Sequence, residues 1–186
     1  MTKNLSDLIN NMTIDELRAR LSAYMMNDVS LMPSLVAVEV RLNDSASCRY
    51  DVLLIDEEEG ETPVKFHDRY SRLIYIYTLL HPQGYQHRKP MTNNYRDLCH
   101  LYSLLYFRDS AALVKTIEGT DVKQPGHFLY HYIAQSRNAV RQASPLADKF
   151  AIDRPQSHNG KVLIPFVAEG GTVILDPSLS ILISNL

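Results

Sequence analysis

The segment Asp68–His81 constrains the fold of this chain more than any other stretch. Its apolar residues recur around most of the circumference of a helix, so such a helix has little surface suited to water. These residues are Leu73, Ile74, Tyr75, Ile76, Tyr77, Leu79 and Leu80. Pro82 and Gly84 then predict a stop followed by a turn. We therefore expect this helix at the centre of a core that the flanking segments complete.

The segment before this helix has the alternating pattern of β-strands. Val36–Leu42 places apolar side chains on every second residue, and Tyr50–Ile55 and Thr62–Phe66 follow as further strands. The acidic turn Asp56–Glu61 joins the last two, and its consecutive carboxylates favour a solvated hairpin tip over a metal site. The sequence thus predicts a small antiparallel sheet ahead of the central helix.

Helical periodicity continues after the central helix. It predicts a helix from Tyr95 to about Phe107, a short helix over Ala111–Ile117 and a long one over His127–Ala143. We expect the two longer helices to pack with the central helix into a three-helix core.

The pattern returns to alternation near the end of the chain. Lys149–Arg154 and Lys161–Val167 have apolar residues on one face, and Asn159–Gly160 between them favours a tight hairpin turn. We therefore predict a β-hairpin over Lys149–Val167 and a last strand over Thr172–Leu175.

The N-terminal segment is predicted to be helical. Thr13 and Glu16 have capping-box spacing, which predicts a helix from about Ile14. We divide the chain into this N-terminal helical segment, residues 1–33, and a main domain, residues 34–186. Because the segment is rich in Leu and Met, we expect a homodimer formed through residues 1–30.

The long helix His127–Ala143 has a polar face without any carboxylate. A helix face that is merely solvated usually mixes charges of both signs. This face carries instead the side chains His127, Tyr130, His131, Ala134, Gln135, Arg137, Asn138, Arg141 and Gln142. Such donors and flat rings reach phosphates and base edges. A surface helix that lacks acids by chance is the alternative interpretation.

Charge is distributed unevenly along the chain. The net charge is −2, but residues 1–66 hold 6 Lys+Arg against 12 Asp+Glu, whereas residues 67–167 hold 13 against 7. All seven histidines lie in the second section. A basic section beside an acidic one favours contact with nucleic acid.

The order of elements resembles a known family. Strands, three helices and a hairpin, a helix ending in His81–Pro82–Gln83–Gly84, and an Arg-bearing third helix resemble the winged-helix effector domains of bacterial response regulators. The resemblance covers about Leu35–Val167. It implies an α+β, winged-helix-like fold whose third helix enters the DNA major groove and whose terminal hairpin is the wing. The chain is also similar to uncharacterised bacterial proteins with a His-Pro-X-Gly turn after the first helix.

We therefore expect a sequence-specific, DNA-binding transcriptional regulator that contacts double-stranded DNA. Base edges or phosphates are expected to meet Tyr130, His131, Arg137, Asn138 and Arg141. The DNA backbone is expected to meet Arg88, Lys89, Arg154 and Lys161. The alternative is a winged-helix-like protein–protein interaction module, in which the acidic N-terminal third and the Tyr-rich helices form the contact.

The sequence offers little for catalysis. His127 and His131 stand four residues apart but lack the Glu of a zincin, and Cys99 and His100 are adjacent, so their side chains diverge on a helix. We expect no enzyme activity, metal or cofactor. Two cysteines, no long apolar run and no signal peptide in Met1–Asn10 lead us to expect a cytoplasmic protein without a membrane contact.

Overall fold

The fold consists of a four-stranded main sheet, a two-stranded ladder and a group of helices. The computed structural model describes residues 12–26, 32–43, 48–86, 94–121, 127–153 and 160–179. In chain order, the elements are α1 (Ile14–Met26), β1 (Leu35–Leu42), β2 (Tyr50–Asp56), β3 (Glu61–Pro63), α2 (Arg69–Leu79), β4 (Tyr85–Gln86), α3 (Asn94–Tyr106), α4 (Ala111–Asp121), α5 (His127–Ala143), a 3₁₀ turn (Ala147–Phe150), β5 (Lys161–Val162), α6 (Pro165–Ala168) and β6 (Thr172–Leu175). The predicted α+β class is confirmed.

The main sheet has the strand order β3-β2-β1-β6. The predicted antiparallel pairing of the first three strands is confirmed, and Thr172–Leu175 is a strand as expected. The last strand, however, joins the same sheet and runs parallel to β1, with Ala37 opposite Thr172. The sheet is therefore mixed. Local alternation predicts a strand but contains no information on a partner so distant in sequence.

Helix α2 is the central helix that the sequence predicts. The Asp68 carboxylate accepts hydrogen bonds of 2.8 Å from the backbone N–H groups of Tyr70 and Ser71, which fixes the start of the helix. All its residues except Arg69 and Arg72 are buried. It contacts α3 and, more extensively, α5, so the predicted three-helix core is confirmed, with α4 packed on α5 as a fourth helix.

The turn after α2 brings two distant segments together. Gly84 has a φ of +71°, and a Cβ on it would lie 2.8 Å from the carbonyl oxygen of Val162. Only glycine suits this position, since both the left-handed backbone and the close approach exclude a side chain. The His81–Gly84 turn thereby allows β4 to pair with β5, a short ladder in which Tyr85 lies opposite Val162.

The predicted hairpin over Lys149–Val167 is wrong in the described residues. Ala147–Phe150 forms a 3₁₀ turn, and Pro165 begins α6 instead of lying in an edge strand. Asp153 N–H donates to the carbonyl of Leu163 at 2.9 Å, but β5 pairs with β4 and not with the preceding segment. Residues 154–159, including Asn159 of the predicted turn, lie outside the described residues. Gly160 is described and has a φ of +82°.

Packing explains this difference. Phe150 is fully buried, and its ring lies 4.2 Å from that of Phe166. Ile152, Val162 and Ile164 are also buried. The alternating apolar residues thus enter the core without a ladder of backbone hydrogen bonds, because burial alone satisfies the pattern.

Helix α1 begins with the predicted capping box. Thr13 N–H donates to the Glu16 carboxylate at 2.7 Å, and Glu16 N–H donates to the Thr13 hydroxyl at 3.3 Å. An ion pair between Arg20 and Glu58 connects the helix to the acidic β2–β3 turn, with Nη1 2.7 Å from Oε2. The predicted helix boundary at Ile14 is confirmed, whereas residues 1–11 lie outside the described residues.

Two buried tyrosines on α2 provide a matched test of this core. The Tyr75 hydroxyl donates to the Phe150 carbonyl at 2.9 Å, whereas the Tyr77 hydroxyl has no partner within the described part of the chain. We expect Tyr75→Phe to lower the free energy of unfolding by about 1–2 kcal/mol, because it leaves a buried carbonyl unsatisfied. Tyr77→Phe is expected to be neutral or stabilising. Urea unfolding of both variants measures the difference, and equal effects would contradict the assignment of the hydrogen bond.

Candidate nucleic-acid interface

Helix α5 is held in the core along one side. Its buried residues are Phe128, Leu129, Ile133, Ser136, Ala139 and Val140. They pack against α2, α4 and the 3₁₀ turn, so three elements determine how the helix is rotated about its axis. The opposite side of α5 therefore has a defined position on the surface.

That opposite side is a continuous polar surface, which we call the α5 stripe. Its exposed members are His127, Tyr130, His131, Ala134, Asn138, Arg141 and Gln142. The helix contains no carboxylate. Four predicted site residues, Tyr130, His131, Asn138 and Arg141, thus lie together on one face.

The first half of the α5 stripe is supported by packed rings. The His131 ring lies 4.8 Å from that of Tyr132, and Tyr132 in turn lies 5.2 Å from Tyr70 and 4.7 Å from Phe128. Burial raises the pKa of the Tyr132 hydroxyl, which favours its neutral form. Tyr130 has no such cover and is 51% exposed. The aromatic cluster therefore supports His131, whereas Tyr130 is an exposed ring outside that cluster.

The second half of the α5 stripe ends in an ion pair. Arg141 Nη2 lies 2.5 Å from Asp148 Oδ1, and the two side chains are 40% and 74% exposed. Asp148 belongs to the 3₁₀ turn that follows α5. A guanidinium that already binds one oxyanion has the geometry to bind another, such as a phosphate. The sequence pattern of the helix alone contains no sign of this carboxylate.

Arg137 differs from the sequence prediction. The helical wheel places it on the solvent face with Arg141, but its side chain is half-buried and its Nε lies in the interior. The half-burial of Arg137 has a simple cause. A wheel divides one helix into two faces, whereas neighbouring elements can cover the boundary between them. Arg137 therefore has a packing role that Arg141 does not share.

The predicted contacts to the DNA backbone are only partly described. Lys161 is exposed on β5, where its Nζ lies 3.5 Å from the carbonyl of Gln83, and it does not lie on α5. Arg88, Lys89 and Arg154 lie outside the described residues. Lys149, which no sequence pattern indicated, is an exposed cation on the 3₁₀ turn, with its Nζ 5.2 Å from the rings of Phe150 and Phe166.

The described residues do not support a metal site or a reactive thiol. No group of three or more His, Cys, Asp or Glu side chains among them converges as a metal site would require. Cys48 is buried, and burial raises the pKa of the Cys99 thiol, which disfavours its reactive thiolate form. Among the described helices, none is both long and apolar enough to span a bilayer.

Comparison with known proteins adds no relative: no protein family matches the chain, and no curated protein or solved structure is significantly similar to it. The geometry of the α5 stripe is therefore the basis of the functional argument.

Proposed function

We propose that this protein binds double-stranded DNA through the α5 stripe and acts as a sequence-specific transcriptional regulator of winged-helix type. The single observation that carries the proposal is the exposed side of a well-anchored helix that presents rings, amides and a guanidinium and lacks carboxylates. These are the side chains that read base edges and bind phosphates.

The dimensions of α5 suit the major groove. A helix of 17 residues is about 25 Å long at a rise of about 1.5 Å per residue, and the groove, about 12 Å wide, admits one helix. In this proposal Asn138 reads adenine, for which a carboxamide is the usual partner, and Arg141 binds guanine or a phosphate. Tyr130 and His131 contact the sugar–phosphate backbone.

The proposal also assigns the elements of a winged-helix arrangement. Helices α4 and α5 then form the helix-turn-helix pair, since they follow one another and pack together. Lys149 and Lys161, on the segment that follows α5, then take the place of wing residues at the DNA backbone. Both side chains are exposed, which such a contact requires.

A salt titration of wild-type binding to random-sequence duplex DNA tests the proposal. For electrostatic binding, log K falls linearly with the logarithm of the salt concentration, with a slope of about −0.9 for each phosphate neutralised. Contacts from Arg141, Lys149 and Lys161 predict a slope of at least about −2.7 in the described region alone. Absence of any duplex binding at about 50 mM salt, where this attraction is strong, would remove the DNA proposal.

A protein–protein interaction module is the second candidate function, and exposed apolar side chains favour it. Ile14 on α1 is 71% exposed, and Leu21, about two helical turns further along the same face, is also exposed. Phe107, directly after α3, is 74% exposed. Isolated apolar residues are normal on surfaces, but a row along α1 suits a partner helix. The homodimer expected through residues 1–30 belongs to this candidate.

A further inference from the structure

We propose that the free edge of β6 binds the same edge of a second copy of this chain, so that two main sheets join across a two-fold axis at Ile174. This proposal is independent of DNA binding. It concerns the sheet and not the α5 stripe.

The two edges of the described sheet differ in their ability to pair. The β3 edge has only three residues and contains Pro63, which lacks an N–H, and Glu61, which Arg41 holds in an ion pair at 2.9 Å. Proline and charge are the usual means by which proteins block an edge. The β6 edge, Thr172–Leu175, contains neither a proline nor a charge. Only one of the two edges is therefore open to a further strand.

The hydrogen-bonding groups of this edge can be assigned from the parallel ladder. Val40 lies opposite Leu175, and its carbonyl accepts from Asp176 N–H at 2.9 Å. Backbone groups alternate along a strand, so those of Thr172 and Ile174 face β1. The N–H and C=O groups of Val173 and Leu175 consequently point away from the sheet, where the described residues supply no partner.

This assignment fixes the register of a self-pairing. In an antiparallel pair, outward-facing residues exchange both of their hydrogen bonds with the residue opposite. Val173 then lies opposite Leu175 of the second copy, and Leu175 lies opposite Val173 of the second copy. Each of these two pairs exchanges two hydrogen bonds, which gives four in total. Ile174 lies at the axis, opposite the Ile174 of the second copy, in a non-hydrogen-bonded pair where side chains approach most closely.

Two properties of the edge select a second copy as its occupant. First, Ile174 is 45% exposed, and the two-fold register covers it with an identical apolar side chain. Second, the register brings no like charges together, because Asp176 at one end meets Thr172 of the other copy. Since β3 is blocked, the described main sheet of each copy offers one edge only, and pairing through this edge closes as a dimer instead of growing into a fibre.

Two matched isoleucine variants test the proposal. Ile174→Lys places two ammonium groups opposite each other at the axis, whereas Ile14→Lys places one on the exposed face of α1. We expect sedimentation velocity to show that Ile174→Lys raises the dimer dissociation constant at least about tenfold, which corresponds to about 1.4 kcal/mol. Ile14→Lys is expected to leave it unchanged. Both positions are exposed, so thermal melting of the monomer should not change.

Amide exchange of the full chain gives a second measurement. The N–H groups of Val173 and Leu175 should exchange more slowly as protein concentration rises, while that of Ile174, which faces β1, should not respond. A wild-type protein that stays monomeric up to about 1 mM, equivalent to roughly −4 kcal/mol, would overturn the proposal. A dimer that Ile14→Lys disrupts and Ile174→Lys does not would also overturn it, because the interface would then lie on α1.

Discussion

Phe128→Ala is expected to lower the free energy of unfolding by about 3–5 kcal/mol, the usual cost of removing a buried phenyl ring. Phe128 is fully buried at the start of α5, and its ring lies 4.7 Å from that of Tyr132 and 5.7 Å from that of Tyr70. Its loss leaves a cavity at the junction of α2 and α5. Since a domain is stabilised by about 5–15 kcal/mol in total, this loss is a large fraction of the total stability.

Tyr130→Ala is the matched control for this variant. It removes an aromatic side chain two residues along the same helix, from an exposed position, and should change the free energy of unfolding by less than about 0.5 kcal/mol. Urea unfolding with an unchanged slope measures both values. Similar losses for the two variants would mean that α5 is rotated about its axis so that Tyr130 is also buried.

Arg141→Ala is expected to weaken duplex binding by at least about tenfold, or about 1.4 kcal/mol, without changing thermal stability. Arg141 is the one cation among the exposed members of the α5 stripe, and its ion pair with Asp148 is solvent-accessible, so the pair itself contributes little to folding. The same change at Arg137 is a less specific test. Its half-buried side chain contributes to packing, so loss of stability would accompany any loss of binding.

Two variants separate a specific contact from a general effect of charge. Asp148→Asn releases Arg141 from its carboxylate and should strengthen duplex binding, by more in the wild-type background than in Arg141→Ala, where only the repulsion between Asp148 and phosphate is removed. Lys65→Ala removes an exposed positive charge between β3 and α2, outside the stripe, and should leave binding within about twofold, or about 0.4 kcal/mol. A similar loss of affinity from Lys65→Ala and Arg141→Ala would refute a specific role for α5.

Local pattern was sufficient for most helices and strands. The boundaries of α2, α5 and β6 follow from apolar periodicity, because each element must bury its apolar side whatever it packs against. The prediction of a hairpin over Lys149–Val167 failed for the same reason. Phe150 and Val162 are buried as their alternation requires, yet neither residue pairs with the other segment. Periodicity specifies burial, whereas strand pairing depends on contacts between residues far apart in sequence.

The candidate site was predictable to the extent that it lies on one helix. Tyr130, Asn138 and Arg141 share a face because of helix geometry, and the helical wheel is sufficient to place them. The half-burial of Arg137 and the approach of Asp148 depend on how neighbouring elements pack around α5. A pattern within one segment contains no information about those neighbours.

The parallel pairing of β1 with β6 also determines when the sheet can be completed during synthesis. Ala37 can pair with Thr172 only after Thr172 has been synthesised. One side of β1 therefore has no strand beside it while the intervening chain is translated. At about 5–20 residues per second, this interval is on the order of ten seconds. The strand with this unpaired edge contains Val38 and Val40, which are fully buried in the complete fold. Nascent chains are therefore exposed to misassembly at this edge, and we expect a chaperone that acts on nascent chains to raise the yield of folded protein.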